Sequence, residues 1–268
     1  MARKIDLVAD VGESFGAWTM GDDDALLDVL TSANVACGFH AGDPRTMDRA
    51  VAHCVARGIR VGAHPSFPDL VGFGRRAMDL SADEVRTDVL YQLGALQAFA
   101  VTHATTLSHV TPHGRLGNLV ATRADYAAAV VDAIRSFDPS LIVLAQAGEL
   151  ADYARAQGIR VAIVGVVDRA YHADGTLVPR SEPGAVIHDT DELVRRAVRL
   201  VTEGFIDAVE GTPIPVEADT LLLHGDNGDA VRNAKAIRAA LTDVGVEIVA
   251  LPEVLADRAE RETESCPA

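Results

Sequence analysis

Lysine is almost absent from this 268-residue chain, which contains only Lys4 and Lys235. Lys4 precedes the first predicted strand and Lys235 lies in a late helical pattern, so neither is expected at the carboxyl end of a strand. A phosphate-binding P-loop needs a Gly-Lys-Ser/Thr sequence, and a Schiff-base enzyme needs a buried lysine. Both mechanisms are disfavoured, and positive charge at a functional site has to come from arginine, histidinium or a metal ion.

The chain also has few cysteines, no long apolar run and no excess of positive charge. The three cysteines, Cys37, Cys54 and Cys266, form neither a disulfide framework nor a CxxC pair, which is typical of a reducing compartment. No apolar run approaches the roughly 20 residues of a membrane span, and the first residues lead into a strand and not into a signal-peptide core. The formal net charge of −15 argues against binding to nucleic acid or to an anionic membrane. We therefore expect a cytoplasmic protein.

Short apolar runs alternate with amphipathic segments from one end of the chain to the other, and this βα pattern predicts a parallel sheet. Strands are expected near residues 4–9, 33–39, 59–63, 105–111, 141–145, 160–166, 219–224 and 246–250. Segment 168–189 is rich in glycine, proline and charge, and we expect it to form an elaborated loop over the mouth. Because no Ser/Gly linker divides the chain, we expect one domain over residues 1–255 and a flexible tail over 256–268.

Four of the apolar runs end in histidine next to glycine or proline. These ends carry His40, His64, the pair His109 and His113, and His224. Parallel α/β architectures place their chemistry at the carboxyl ends of the strands, so the four ends are predicted to share one mouth. Side chains alternate faces along a strand, which puts Asn34 and His40 together and turns Cys37 away from them as an ordinary core residue.

Two carboxylates, Asp10 and Glu13, follow the first strand in a glycine-punctuated loop. Such a pair can bind a metal, or can divide into acid and base when the environments separate their pKa values. His40 and His64 add imidazoles from separate strands, as in open catalytic metal sites. The residue pattern leaves two alternatives open: a divalent metal, with Asp10, His40 and His64 as candidate ligands, or direct acid–base chemistry.

Candidate anion-binding groups are arginines in two loops. Arg75 and Arg76 follow two glycines, and their planar guanidinium groups suit bidentate recognition of carboxylate or phosphate. Asp168-Arg169 and Arg180, which flank the long loop, are further candidates for this role. Asp226, two residues beyond His224, lies either at the site or in an ordinary turn.

These motifs together resemble the family of 5-oxoprolinase A subunits (LamB/YcsF-type proteins). The resemblance runs from about residue 4 to about residue 252. The matching segments are Asp10–Gly16, Ser32–Pro44, Gly62–Arg76, Tyr91–Leu96, Pro112–Gly114, Asp168–Arg180 and His224–Asp226.

The resemblance implies a distorted (β/α) TIM-like barrel of seven to eight parallel strands, similar to the glycoside hydrolase/deacetylase barrel. It implies ATP-dependent hydrolysis of 5-oxoproline to glutamate, with ATP and Mg in a complex with 5-oxoprolinase subunits B and C. A homo-oligomer is a further expectation. The implied catalytic residues are Asp10, Glu13, His40, His64 and His113. The implied substrate-binding residues are Asn34, Asp43, Arg75, Arg76, Asn118, Asp168, Arg169, His224 and Asp226.

Four positions depart from the pattern of the family. Val8 stands where the family usually has asparagine, Thr111 where it has lysine, Gly117 where it has tyrosine and Val164 where it has glutamate. Each departure replaces a polar group with a smaller or less polar one. Two alternatives therefore remain beside the ATP-dependent hydrolase: a metal-dependent amide hydrolase or deacetylase that acts without ATP, and a catalytically silent binding subunit.

Overall fold

A computed structural model describes residues 2–226 and 228–265, and within these residues it contains ten strands and nine helices. The strands are β1 Lys4–Val11, β2 Ser32–Ala36, β3 Arg60–His64, β4 His109–Val110, β5 Ile142–Ala145, β6 Val161–Val166, β7 Phe205–Asp207, β8 Pro213–Pro215, β9 Thr220–Leu223 and β10 Glu247–Ile248. The helices are α1 Asp23–Leu27, α2 Pro44–Arg57, α3 Ala82–Thr102, α4 Gly114–Val120, α5 Ala124–Phe137, α6 Glu149–Ala156, α7 Thr190–Glu203, α8 Ala230–Asp243 and α9 Leu251–Ser265. None of these helices combines the length and the hydropathy that a bilayer span requires.

Parallel strands close into a barrel in the order β1-β2-β3-β4-β5-β6-β9, and β9 pairs back onto β1. In this register Asp10 lies beside Asn34 of β2, and Val8 lies between Ser32 of β2 and Leu222 of β9. The predicted (β/α) TIM-like barrel is confirmed. The last predicted strand is shorter than expected: β10 pairs with the start of β1, outside the ring of seven.

Helix boundaries follow the capping signals of the sequence. The Asp43 carboxylate accepts hydrogen bonds from the backbone N–H groups of Arg45 and Thr46 at the start of α2. Ser81 and Glu84 form a reciprocal capping box at the start of α3. Gly58 ends α2 with a φ of 70°, a left-handed conformation that glycine adopts without strain. Between them these caps set the directions in which α2 and α3 leave the barrel rim.

The helices bury their apolar faces against the outside of the barrel in one continuous core. Leu93 and Leu96 of α3, Tyr126 and Ile134 of α5, and Val143 of β5 all have at most 1% of their surface exposed and belong to this core. Burial of side chains this large contributes about 1.5–3 kcal/mol each to folding. The core therefore holds the strand ends, and the loops that follow them, in fixed relative positions.

The segment expected to be a loop over the mouth is held down by short pairings. Arg169 bridges to Val186, and Tyr171 bridges to both Leu177 and Ala208. Strands β7 and β8, which follow α7, form a separate antiparallel hairpin. The sequence pattern does not predict this hairpin, because its strands are three residues long and β8 begins and ends with proline.

We expected a flexible tail from residue 256, but residues 256–265 continue helix α9. Leu251, Val254 and Leu255 are buried, and Asp257 is 5% exposed between Lys4 at 3.8 Å and Arg261 at 2.9 Å. Docking of this apolar and acidic face extends the helix past the boundary that we placed at residue 255. Residues 266–268, including Cys266, lie outside the described residues.

Polar groups fill the barrel interior below the mouth. The Asp6 carboxylate accepts hydrogen bonds from the hydroxyls of Thr31, Ser32 and Thr220 at 2.6–2.8 Å. Burial raises the pKa of Asp6 to about 6. Cys37 belongs to the hydrophobic core, as predicted, and burial raises the pKa of its thiol to about 12.

Candidate active site

Three imidazoles from three strand ends meet at the mouth of the barrel. The rings of His40 and His113 stack with centroids 3.9 Å apart and an angle of 8°, and His64 stands edge-on to both. All three side chains are buried. Burial, followed by the charges of neighbouring histidines, holds the pKa values of His40 and His113 well below that of a free imidazole. The predicted convergence of the strand ends is therefore present in the structure for these three histidines.

Backbone carbonyls determine which nitrogen carries the proton in two of these rings. His64 Nδ1 lies 2.7 Å from the carbonyl oxygen of Thr111, and His113 Nε2 lies 2.9 Å from that of Phe73. A carbonyl oxygen only accepts, so both of these nitrogens are donors. The other nitrogens, His64 Nε2 and His113 Nδ1, face each other at 3.0 Å.

The two predicted carboxylates occupy different sides of the histidine group. Asp10 Oδ1 lies 3.3 Å from His64 Nε2 and accepts a hydrogen bond from Asn34 Nδ2 at 2.9 Å. Glu13 Oε1 lies 3.3 Å from His40 Nε2 and 3.7 Å from His113 Nδ1. Both carboxylates are buried.

Their environments push the pKa values of the two carboxyl groups apart. Burial acts against ionisation of Asp10, but the charge and hydrogen bond of His64 outweigh it and hold the pKa of Asp10 well below its usual range. Burial and then the negative charge of Asp10 raise the pKa of Glu13 well above its usual range. Asp10 is thus ionised where Glu13 favours its neutral form, the division of roles that the sequence left as one of its alternatives.

The loop between β3 and α3 covers the histidines, and its backbone conformation is special. Gly74 has a φ of 64°, and a Cβ there would lie 2.9 Å from both His113 Cδ2 and His40 Cβ. Phe73, a non-glycine residue, has a φ of 54°, directs its carbonyl to His113 and packs its ring on His40 and His113. Strain of this kind persists at functional sites where the surroundings enforce it. The sequence does not single out Phe73; the glycines on either side are its only signal.

A cavity of about 380 Å³ opens beside the histidines and is lined on one side by polar groups. Asp10, His64 and His113 reach it, as do Arg75, Arg115, Asn118, Gln146, Arg169, Arg180 and His224. Arg75 donates to Asp226 at 2.6 Å and stacks over the Phe73 ring at 4.7 Å. Arg180 lines the same cavity as Arg75, and burial and then the charge of Arg75 lower the pKa of Arg180.

Apolar residues also line the cavity, and three of the four departures from the family pattern belong to the lining. Val164, Val166, Leu144 and Leu222 face the cavity, together with Thr111 and Gly117. The Thr111 hydroxyl donates to the Leu144 carbonyl at 2.6 Å. A Cβ at Gly117 would lie 2.4 Å from the Pro112 carbonyl oxygen. The fourth departure, Val8, is buried in β1 and does not line the cavity.

His224 and Asp168 form a pair at the rim, in which Asp168 is buried and the side chain of His224 is 15% exposed. His224 Nδ1 lies 2.9 Å from both Asp168 oxygens, and the His224 backbone N–H donates to Oδ2 at 3.0 Å. Burial opposes both charges, but their mutual attraction raises the pKa of His224 and lowers that of Asp168. Arg169 also lines the cavity, and it ties the overlying loop by donating to the Ala185 carbonyl at 3.1 Å and to the Val178 carbonyl.

Three expected substrate-binding residues have other positions. Arg76 points to the surface with its side chain 65% exposed and pairs with Asp69. Asp43 caps α2 and accepts from the Gly16 backbone at 2.7 Å, which ties down the loop after β1. Asn34 is fully buried between Asp10 and His109, so it orients Asp10 and does not line the cavity.

His109, from the same strand end as His113, lies deeper in the barrel than the histidines at the mouth. Its Nε2 lies 2.9 Å from Asn34 Oδ1, and its Nδ1 lies 2.7 Å from the Ser108 hydroxyl. Burial lowers its pKa to about 3. Gly62 makes the room: a Cβ there would lie 2.0 Å from His109 Nε2. His109 therefore supports Asn34 and does not reach the mouth.

One group of side chains has the composition and spacing to hold a metal ion. Glu13, His40, His64 and His113 each offer one ligand atom, and these four atoms lie within 4.8 Å of one another. The expected ligands His40 and His64 belong to this group, whereas Asp10 does not. The carboxylate of the group is Glu13.

Residues 5–256 match the family described as the LamB/YcsF family. A protein of Pseudomonas syringae pv. tomato, named as an A subunit of 5-oxoprolinase, is 48% identical over 247 residues, which cover 92% of this chain and 96% of that protein. A protein of Pyrococcus furiosus with the same A-subunit name is 47% identical over 253 residues, covering 94% and 99%. This chain and these relatives therefore correspond over nearly their whole lengths.

Solved structures agree with the barrel. The structure described as lactam utilization protein from Thermus thermophilus is 46% identical and superposes with a TM-score of 0.87, covering 92% of this chain and 99% of that one. The peptidoglycan deacetylase PdaC from Bacillus subtilis is 15% identical and has a TM-score of 0.52, covering 98% and 95%. At that identity the likeness to PdaC extends to the fold alone.

Proposed function

The chain belongs to the LamB/YcsF family, and on that premise we propose that it is the A subunit of a cytoplasmic, ATP-dependent 5-oxoprolinase. In the proposed reaction the ring C–N bond of 5-oxoproline is hydrolysed to give glutamate. Partner subunits B and C complete the enzyme. The proposal is supported by the names of relatives that are 47–49% identical over more than nine-tenths of this chain.

One observation carries the proposal: a single cavity contains an acid–base group and an anion-binding group. Asp10, His64 and His113 reach this cavity together with Arg75 and Arg180. A five-membered lactam that bears a carboxylate needs both groups, since its amide is attacked by water and its carboxylate needs a cationic partner. Guanidinium groups suit carboxylates because they donate in a planar fork.

ATP makes the resistant amide reactive in this proposal. Transfer of a phosphoryl group from ATP to the amide oxygen converts the carbonyl carbon into an electrophile that a water molecule can attack. The ring C–N bond then breaks as its nitrogen takes up a proton, which leaves an acyl phosphate. A second water molecule hydrolyses this acyl phosphate to glutamate and free phosphate. The chain has no Gly-Lys-Ser/Thr loop and only two lysines, so its own residues do not fit a P-loop nucleotide site. We therefore assign nucleotide binding, with its Mg, to the partner subunits.

The residues of this chain have separate tasks in the proposed reaction. Asp10, oriented by Asn34, accepts the proton of the attacking water together with His64 or His113. Arg75 and Arg180 bind carboxylate or phosphate. The rim of the cavity beneath the loop of residues 168–189 is formed by His224, Asp168 and Arg169.

Reconstitution with subunits B and C tests the proposal. Glutamate and ADP formation from 5-oxoproline and ATP are measured with the natural chain, with Asp10→Asn and with the exposed control Asp125→Asn. We expect turnover that needs all three subunits, a loss of about 100-fold or more for Asp10→Asn, and no change for Asp125→Asn. A folded, complete complex without turnover would overturn the substrate assignment. Full activity of Asp10→Asn would favour the catalytically silent subunit instead.

A second candidate is a metal-dependent amide hydrolase or deacetylase that acts without ATP. The cluster of Glu13 with three histidines favours it, because it places several ligand atoms beside the cavity. Activity on simple amides by the isolated chain in the absence of ATP, abolished by chelation, would select this candidate over the first.

A further inference from the structure

Two neutral rings do not satisfy the contact between His64 and His113 by themselves. His64 Nδ1 and His113 Nε2 both donate to backbone carbonyls, so in the neutral rings His64 Nε2 and His113 Nδ1 carry lone pairs. These two lone-pair nitrogens are 3.0 Å apart. Two acceptors at this distance repel each other unless a positive centre lies between them.

Two carboxyl oxygens lie near the same point. Glu13 Oε1 is 3.7 Å from His113 Nδ1, and Asp10 Oδ1 is 3.3 Å from His64 Nε2. A single proton lies between only two of these atoms, whereas a metal ion contacts several lone pairs at once. We infer that Glu13, His40, His64 and His113 form a binding site for one divalent transition-metal ion of the zinc type.

Ligand spacing agrees with a tetrahedral ion. Arms of about 2.0–2.1 Å, typical of Zn²⁺ with nitrogen and oxygen ligands, give ligand–ligand edges of roughly 3.3–3.4 Å. Three of the six distances here are 3.0 Å from His64 Nε2 to His113 Nδ1, 3.3 Å from Glu13 Oε1 to His40 Nε2, and 3.7 Å from Glu13 Oε1 to His113 Nδ1. All six are within 4.8 Å, so binding of the ion requires the longer edges to contract. Imidazoles and a carboxylate are ligands that zinc accepts readily.

The outer contacts have the form found at metal-binding histidines. A ligating imidazole usually donates its other N–H to a carboxylate or a backbone carbonyl, which fixes the tautomer and orients the lone pair. His64 and His113 both do this, through Thr111 and Phe73. His40 Nδ1 has no hydrogen-bond partner among the described residues, so His40 is the least constrained of the three imidazoles.

The site adjoins the cavity. His64 and His113 line the cavity, whereas Glu13 and His40 are buried and do not line it. An ion held there supplies a positive centre beside the position proposed for the amide. The inference itself needs neither that substrate nor the partner subunits, because it rests on the hydrogen bonds of the isolated chain.

Variants can remove one ligand atom while keeping the backbone contact. In His64→Asn the amide N–H replaces Nδ1 as donor to Thr111, and Nε2 is lost. In His113→Gln the longer amide replaces Nε2 as donor to Phe73, and Nδ1 is lost. His103→Asn, at the end of α3, alters a partly exposed histidine that pairs with Asp48 at 2.8 Å outside the site and serves as the matched control.

The test is metal binding to the full chain after chelator treatment, without partners or 5-oxoproline. Zn²⁺ is titrated by calorimetry and Co²⁺ by its visible absorption, and folding of each variant is checked by circular dichroism. We expect one ion per chain with a tetrahedral Co²⁺ spectrum, a weakening of at least about 100-fold for His64→Asn and for His113→Gln, and no change for His103→Asn.

Two outcomes would overturn the inference. The first is a folded chain that binds less than one Zn²⁺ per molecule under these conditions, with nitrogen-15 NMR showing that a proton occupies the contact between His64 and His113. The second is unchanged affinity in both ligand variants. Because no turnover is measured, failure here is distinct from failure of the proposed 5-oxoprolinase activity.

Discussion

His40 and His113 stack face to face, with ring centroids 3.9 Å apart, although they follow strands β2 and β4, which are separated in the barrel by β3. His64, from the intervening strand, stands edge-on to both rings. Its ring centroid lies 5.5 Å from that of His40 and 4.8 Å from that of His113. This arrangement depends on the loop between β3 and α3, in which Phe73 and Gly74 pack against the rings of His40 and His113. Loop conformation is therefore as important to the site as the strand ends.

Changing Gly74 to alanine is expected to disrupt the site. The new Cβ would meet Ser66 Oγ at 2.3 Å as well as His40 and His113, at a φ of 64°. We expect a loss of about 1–3 kcal/mol in the free energy of unfolding from the strained backbone, and displacement of the rings that lowers kcat/KM of the reconstituted complex about 100-fold.

Gly175→Ala is the matched control for that change. Gly175 has a φ of 85° in segment 168–189, but no atom of the described residues lies within 4 Å of its Cβ position. It should show the backbone strain in urea denaturation without the loss in kcat/KM. Equal kinetic effects of the two variants would contradict the role assigned to Gly74.

Neighbouring arginines are expected to differ in their effect on substrate affinity. Arg75 lines the cavity, whereas Arg76 points outward to Asp69. Loss of a charged hydrogen bond costs about 1.5–3 kcal/mol, so Arg75→Gln should raise KM for 5-oxoproline roughly 10–100-fold. Arg76→Gln should leave KM within about twofold. Steady-state kinetics of the complex checks both, and a larger effect at Arg76 would reverse the assignment.

Asn34 is expected to matter for stability because it supports two buried groups at once. Asn34→Ala leaves Asp10 Oδ1 without its donor and His109 Nε2 without its acceptor. Each orphaned buried group costs about 1–3 kcal/mol, so we expect a loss of about 2–5 kcal/mol in urea denaturation. Asn118→Ala, at an exposed asparagine of α4, should change stability by less than about 0.5 kcal/mol.

The buried carboxyl group of Asp6 predicts a specific pH dependence of stability. Its pKa is about 6 in the folded chain, raised from the 3.8 of a solvated aspartate, which represents the unfolded chain. At pH values between these two pKa values, Asp6 keeps its proton in the folded chain but has released it in the unfolded chain. Raising the pH from 4 to 7 therefore disfavours the folded state by about 2 kcal/mol at this position.

Comparison with Asp6→Asn isolates that contribution. The variant has no ionisable group at residue 6, so the difference in unfolding free energy between it and the natural chain should move in favour of the variant as the pH rises, and should level off above about pH 7. Urea denaturation at half-unit pH intervals measures this difference. Parallel pH profiles would show that Asp6 titrates alike in both states.

Much of the fold follows from local patterns that the sequence displays. The eight predicted strands all occur, because apolar runs of strand length and capping residues such as Asp43 and Ser81 report local geometry. The prediction of a flexible tail was wrong up to residue 265, because the structure of this segment depends on contacts with distant residues and not on a local pattern. Its charged residues show no clear apolar period, and only docking of α9 against the barrel reveals that Asp257 has partners.

Sequence alone determined the order of the strands and the residues at their ends, since side-chain alternation and loop chemistry are local properties. It placed Asp10, His64 and His113 at one mouth, together with His40. Only the tertiary structure decided that Glu13 and not Asp10 belongs with the three imidazoles in the metal-binding group, and that Arg75 and not Arg76 faces the cavity. These choices depend on loop paths, and loop paths are set by contacts such as that of Gly74 with His40 and His113, which join residues far apart in the chain.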